Sequence, residues 1–277
     1  MKLDWAAIVP EAARIVRSYD TGVTLRQLFY RLVSAQLIPN DQNAYKGLSR
    51  HTAIARRAGT FPDLIDRGRR VERYPTWDSP DAAIKYMASI YRRDRTEGQD
   101  YSIYLAVEKA GIVQQLLAWF GNLGIPILPL GGYSSQTFVD QVVKHVDEQG
   151  RPAILIYAGD FDPSGEDIDR DFTERTDCWD EIDRIALLPG QIALYNLPPL
   201  PGKRTDSRAA GFIARHGALM QVELDALPPD ILRDLYQQAI DGFWDPDAYD
   251  EIMDEEGEDD KVLAEALRMI REGEIKP

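Results

Sequence analysis

Between residues 101 and 197 short apolar runs alternate with stretches of helical spacing, and this alternation constrains the fold more than any other feature of the chain. It predicts strands over 101–107 (YSIYLAV), 125–130 and 153–158 (AILIYA), with helices over 111–120 and 134–148 between them. A further helix is expected after Pro163-Ser164-Gly165, and a last strand over 191–197. Strands regularly separated by helices imply an α/β fold, a mainly parallel sheet covered on both faces. In such sheets chemistry gathers at the carboxyl ends of the strands.

The chain before residue 100 carries only the helical period. Residues 5–19 have helical spacing with Pro10 inside, Thr24 is placed to cap a second helix over 25–36, and a third runs from Asn43 to Gly59. Residues 60–77, with Pro62, Gly68 and Pro75, suggest a loop or short hairpin. Three short helices followed by a basic hairpin suggest a helix-turn-helix module with a wing. Asp78-Ser79-Pro80 starts another helix, and the polar run 94–100 (DRTEGQD) reads as a linker. The expected domains are therefore 1–97, a winged-helix DNA-binding domain, and 98–277, a metal-binding domain with an acidic carboxyl-terminal extension.

A net charge of −14 over 277 residues argues at first sight against nucleic acid, but the charge is unevenly spread. From Arg26 to Arg73 there are ten basic residues against four acids, whereas 221–277 holds eighteen acids against five bases. The acidic block at 245–260 is expected to be solvated and disordered, with mimicry of DNA as the alternative. One cysteine, Cys178, excludes an internal disulfide, and His51, His145 and His216 are too scattered for a structural zinc site. Any metal would be held by oxygen. No apolar stretch approaches the roughly 20 residues of a membrane span, and the first ten residues do not read as a signal peptide, so a cytoplasmic location and no membrane partner are expected.

Glu108 directly follows the first strand, and Asp160 and Asp162 follow the third in the run Gly159-Asp-Phe-Asp-Pro-Ser-Gly165. Residues two apart in an extended segment point to one side, so these carboxylates are expected to converge at one sheet edge, where magnesium suits an all-oxygen site. Solvated loop acids are the alternative. Val107-Glu108-Lys109-Ala110-Gly111 together with 159–165 resembles the Toprim fold of topoisomerases, primases and related nucleases. The added Pro and Gly look most like the A subunit of type IIB topoisomerase (topoisomerase VI) and the related meiotic double-strand-break transesterase. The resemblance spans roughly residues 24–197. It implies magnesium, with manganese as a substitute, held by Glu108, Asp160 and Asp162 beside a scissile phosphate of double-stranded DNA.

In the helix beginning at Leu25, Leu28, Phe29 and Leu32 form the apolar stripe, and Arg26 and Tyr30 are i, i+4 neighbours on a flank outside it. A phenol with a pKa of about 10 attacks phosphorus poorly, and a nearby guanidinium favours the charge that develops. Arg26 through Tyr30 also resembles the family's helix-turn-helix motif, which implies Tyr30 as a nucleophile forming a phosphotyrosyl bond to a DNA 5′ end, aided by Arg26 and Glu108. The metal site would then come from the other protomer of a homodimer located with the nucleoid, and an ATPase B-like subunit would be a further partner. A half-buried tyrosine using its hydroxyl as a hydrogen-bond handle is the alternative, leaving a nuclease that hydrolyses DNA or a noncatalytic DNA-binding protein. Lys46, Arg50 and Arg57 lie within about 40° on the third helix and, with Arg67, Arg69 and Arg70, form a candidate phosphate-contacting surface. Lys109, Lys203, Arg204 and Arg208 complete the candidate DNA contacts, although Asp206 could equally pair with an arginine of its own loop.

Overall fold

Each of the first four helices begins where a side chain can accept the orphan N–H groups of a first turn. These are α1 (Trp5–Arg17), α2 (Leu25–Ser34), α3 (Gln42–Arg57) and α4 (Pro80–Ile90), capped by Asp4, Thr24, Asp41 and Ser79. Thr24 and Gln27 close a reciprocal capping box. The structure, a computed structural model, describes residues 3–66, 73–202 and 205–272. The centre of the expected wing falls outside the described residues, and no strand occurs in the described flanks 60–66 and 73–77.

The alternating segment follows as β1 (Ser102–Val107), α5 (Val113–Phe120), β2 (Ile127–Pro129), α6 (Gln136–Gln149), β3 (Ala153–Ala158), α7 (Pro163–Thr176) and β4 (Glu181–Ala186). The four strands form a parallel sheet in the order β2-β1-β3-β4. Period-2 alternation sorts its side chains. Ile103, Leu105, Val107, Ile154 and Ile156 join one core with Leu28, Leu32, Leu116 and Tyr236, while Tyr104, Ala106, Leu155 and Tyr157 join a second with Val139, Val142 and Phe172. The first core runs without interruption from α1 into the sheet, so the amino-terminal helices share its apolar interior. Because the chain leaves β1 for β2 on one side and returns to β3 on the other, the topological switch point lies beyond the ends of β1 and β3.

Residues 191–197, expected as the last strand, are not one. They belong mostly to α8 (Pro189–Leu194), in which Pro189 occupies the first turn and the Gln191 side chain accepts from the Leu188 N–H at 2.9 Å and donates to the Ile185 carbonyl at 2.8 Å. The edge strand is instead the more polar 181–186 run, which periodicity alone left unassigned. A two-stranded antiparallel ribbon, β5 (Leu200–Pro201) with β6 (Met220–Gln221), encloses α9 (Ala209–His216), and α10 (Pro229–Asp241) and α11 (Pro246–Arg271) end the described chain. Among the described residues no helix is long and apolar enough to cross a membrane.

The acidic block expected to be disordered forms most of α11. Two of its acids have counterions from the preceding run: Glu256, only 3% exposed, accepts from the Arg93 N–H at 3.1 Å and Arg95 Nε at 3.0 Å, and Asp259 accepts from Arg93 Nε at 2.6 Å and the Tyr91 hydroxyl at 2.7 Å. The polar run read as a linker is thus clamped. Arg95→Met is expected to destabilise the fold by roughly 2–4 kcal/mol, since it strands a buried carboxylate that keeps only its weaker partners. Gly257→Ala, within the same helix and with open space where its Cβ would sit, should stabilise by about 0.5–1 kcal/mol. Urea unfolding of the two variants measures both shifts, and opposite signs are expected.

Candidate functional site

The parallel register of β1 and β3 sets Val107 beside Ala158, so the residues that follow both strands emerge together at the switch point. Glu108 Oε2 accepts the Asp160 backbone N–H at 2.8 Å. The next turn is tight: Gly165 lies so close to the Asp160 carbonyl that any Cβ there would collide with it. That approach brings the start of α7 against Asp160, whose carbonyl also accepts from Arg184 at 2.7 Å.

A third segment completes the site. Phe161 and Val222 exchange both backbone hydrogen bonds, at 2.9 and 3.0 Å, which lays residues 222–225 alongside Asp160. Asp160 Oδ1 accepts the Leu224 N–H at 2.8 Å, and Glu223 and Asp225 are buried nearby. Lys109 Nζ sits among the acids: it donates to Asp160 Oδ2 and, at 2.8 Å, to Glu223 Oε2, and lies 3.9 Å from Glu108 Oε1. Arg26 on α2 donates to the same Glu223 oxygen at 2.7 Å, lies 3.5 Å from Asp225, and places its guanidinium 5.7 Å from the Tyr30 ring centre. Helix α2, the end of β1, the end of β3 and the 222–225 segment are therefore joined by one chain of ion pairs.

Burial and the adjacent Glu108 charge push the Asp160 carboxyl well above the usual range, against the pull of Lys109. Burial also acts to raise Glu223, but Lys109 and Arg26 outweigh it and hold that carboxylate below its ordinary value. Lys109 shows the same competition: burial favours the neutral amine, and the charges of Asp160 and Glu223 prevail and raise it. The Tyr30 hydroxyl is pushed up to about 12, chiefly by burial and the Glu223 charge, with Arg26 and Lys109 pulling the other way.

Glu108 and Asp160 meet as the sequence predicts, but Asp162 has a different task. Its carboxylate caps α7, accepting the Gly165 N–H at 2.7 Å, because Pro163 starts that helix immediately after it. In this arrangement the expected trio does not fit magnesium. Both Asp160 oxygens and one oxygen each of Glu108 and Asp162 already accept hydrogen bonds, and an ammonium group holds the position between the acids. Among the described residues no group of three or more acidic, histidine or cysteine side chains is placed to hold a metal ion.

The expected DNA contacts separate into three sets. Lys46, Arg50 and Arg57 are exposed on α3 and make no ion pair among the described residues. Arg67, Arg69, Arg70, Lys203 and Arg204 lie outside the described residues. Lys109 faces the acidic cluster inside the chain, and Arg208 is engaged by Asp206 at 2.8 Å and Asp167 at 3.3 Å, which is the local pairing the sequence left open. Tyr30 is only 9% exposed and belongs to the apolar core more than its helical position suggested, because its neighbour Phe29 packs edge-on at 5.3 Å. It nevertheless lines a cleft of about 380 Å³ with Arg26, Phe29, Asn40, Asp41, Gln42 and Tyr45, and the buried Asn40 amide nitrogen has no hydrogen-bond partner among the described residues.

Glu223 and Asp225 were missed from sequence, which assigns them no part in the site. The available signal was the alternation Val222-Glu223-Leu224-Asp225, which sets two acids on one side of an extended segment. Lys109→Met should destabilise the protein by about 3–5 kcal/mol near pH 8, because it leaves buried Asp160 without its cation while Glu223 keeps Arg26 alone. Asp160 would then titrate still higher when folded than unfolded. Its contribution is favourable at low pH and lost as pH rises, so the deficit should shrink between pH 8 and pH 5, as measured by urea unfolding at each pH.

Neither a protein-family model nor a curated protein matches this chain, and its function is to be read from its own residues.

Proposed function

We propose that the chain binds double-stranded DNA and transfers a backbone phosphoryl group to Tyr30, as a topoisomerase A-like transesterase built from a winged-helix module and a Toprim-type sheet. One observation carries the reading: the Arg26 guanidinium stands 5.7 Å from the Tyr30 ring centre and is joined through Glu223 to Lys109, which follows β1 at the switch point of a parallel sheet. A phosphodiester entering the cleft would compete with Glu223 for these cations. A phosphodiester brings its own negative charge, so these cations would act on the charge that develops on phosphorus in the transition state. In the step itself the Tyr30 oxygen forms a bond to phosphorus, the bond to the 3′ oxygen breaks, the phenolic proton passes to solvent, and the departing 3′ oxygen takes one up. Tyr30 is left joined to the 5′ end. The exposed Lys46, Arg50 and Arg57 would hold flanking phosphates without reading bases.

A second reading, a DNA-binding protein without chemistry, is favoured by the Lys109 ammonium among the acids and by a phenol pushed up to about 12. Supercoiled plasmid incubated with the protein, with and without magnesium or manganese, separates the two. The transesterase predicts a covalent protein–DNA adduct that is lost in Tyr30→Phe and reduced by roughly a hundredfold or more in Arg26→Ala. Cutting that survives Tyr30→Phe would point to a hydrolytic nuclease. Salt-sensitive binding with no cutting under any condition would leave the noncatalytic reading.

A further inference from the structure

On the far side of the amino-terminal helices a separate cleft of about 420 Å³ opens between the α1–α2 turn, α2, α5 and α10. Its lining includes Tyr19, Asp20, Arg31, Trp119, Asp230 and Arg233. Three lining residues carry a buried donor with no acceptor among the described residues: the Tyr19 hydroxyl, Arg31 Nε and Trp119 Nε1. The Tyr19 hydroxyl lies beside the Arg31 guanidinium but does not meet it in a well-formed hydrogen bond. Buried donors are nearly always satisfied in folded proteins, and three orphans from three separate elements around one cleft point to a missing acceptor.

The charge pattern narrows its chemistry. Arg233 is shared between Asp20, at 3.4 Å, and Asp234, at 3.7 Å, whereas Arg31 makes no ion pair among the described residues. An acceptor that also brings negative charge would serve both the unsatisfied donors and the Arg31 cation. Burial holds the Tyr19 phenol up to about 12, so at neutral pH it remains a donor. An indole N–H, a guanidinium and a phenol supplied by three separate segments suit an oxyanion with several acceptor oxygens.

We propose that this cleft is a phosphate-binding site in which Arg31 supplies the charge and Tyr19 and Trp119 supply directed hydrogen bonds. Asp230, the lining acid with no ion pair among the described residues, sits on the rim and opposes the anion. The phosphate could belong to a small phosphorylated compound or to a DNA backbone, and the two sources make different demands on the same residues.

The test is calorimetric titration of the full chain with inorganic phosphate and, separately, with a short DNA duplex. Inorganic phosphate is expected to bind wild type, to bind Arg31→Met at least about tenfold more weakly, and to bind Asp230→Asn more tightly. Trp119→Phe removes one donor with little change of shape and should also weaken phosphate binding, which keeps the test decisive if Arg31→Met fails to fold. Duplex affinity that falls with the phosphate affinity in these variants, and phosphate that competes with duplex, assign the site to a DNA backbone. Unchanged duplex affinity assigns it to a free phosphorylated compound. Absence of phosphate binding to wild type, or equal binding by wild type, Arg31→Met and Trp119→Phe, would overturn the proposal, whether or not Tyr30 proves to be a nucleophile.

Discussion

One ammonium group holds the centre of this protein together. Lys109 Nζ stands among Glu108, Asp160 and Glu223, three acids delivered by three separate parts of the chain. Two like charges 4 Å apart repel by about 4 kcal/mol at the effective dielectric of a partly buried site. Three carboxylates could not share this space without a cation. Arg26 extends the same network to α2, so the ion pairs tie the amino-terminal helices to the carboxyl ends of the central strands. The apolar core beneath is continuous across that junction, and the polar network fixes where its upper edge lies.

The proposed chemistry and the fold therefore draw on the same cations. Arg26 and Lys109 neutralise Glu223 in the free chain, and a phosphodiester could engage them only by weakening those pairs. The Tyr30 hydroxyl responds to both sides of this exchange, since burial and Glu223 push it up while Arg26 and Lys109 pull it down.

The uneven charge of the chain acquires a physical meaning in three dimensions. Four acids of the carboxyl-terminal quarter turn inward, onto basic residues from earlier in the sequence, while most of the others are exposed. Glu223 and Asp225 serve Arg26, Glu256 and Asp259 serve Arg95 and Arg93, and Asp81 at the start of α4 receives Arg271 at 3.2 Å. Among the described basic residues of α3 that make no ion pair with described residues, Lys46, Arg50 and Arg57 are exposed, and Arg56 is half-buried. A strongly negative protein thus retains a positive surface.

Local pattern alone determined the helices before residue 60, with the cap at Thr24, and the strands at 102–107 and 153–158, because capping and apolar periodicity act within a few residues. It also determined that Glu108 and Asp160 emerge at the same edge, since a parallel sheet leaves no other place for residues that follow β1 and β3. It misassigned 191–197, where Pro189 and the Gln191 side chain favour a helix over the strand that composition suggested. Only the tertiary structure decided that Asp162 caps α7, that Lys109 turns inward, and that Glu223 and Asp225 join the site across more than sixty residues of sequence. Those outcomes depend on the Phe161–Val222 pairing and on charges that must find counterions when buried, and neither a backbone contact of that range nor the balance of burial against ion pairing leaves a periodic trace in the chain.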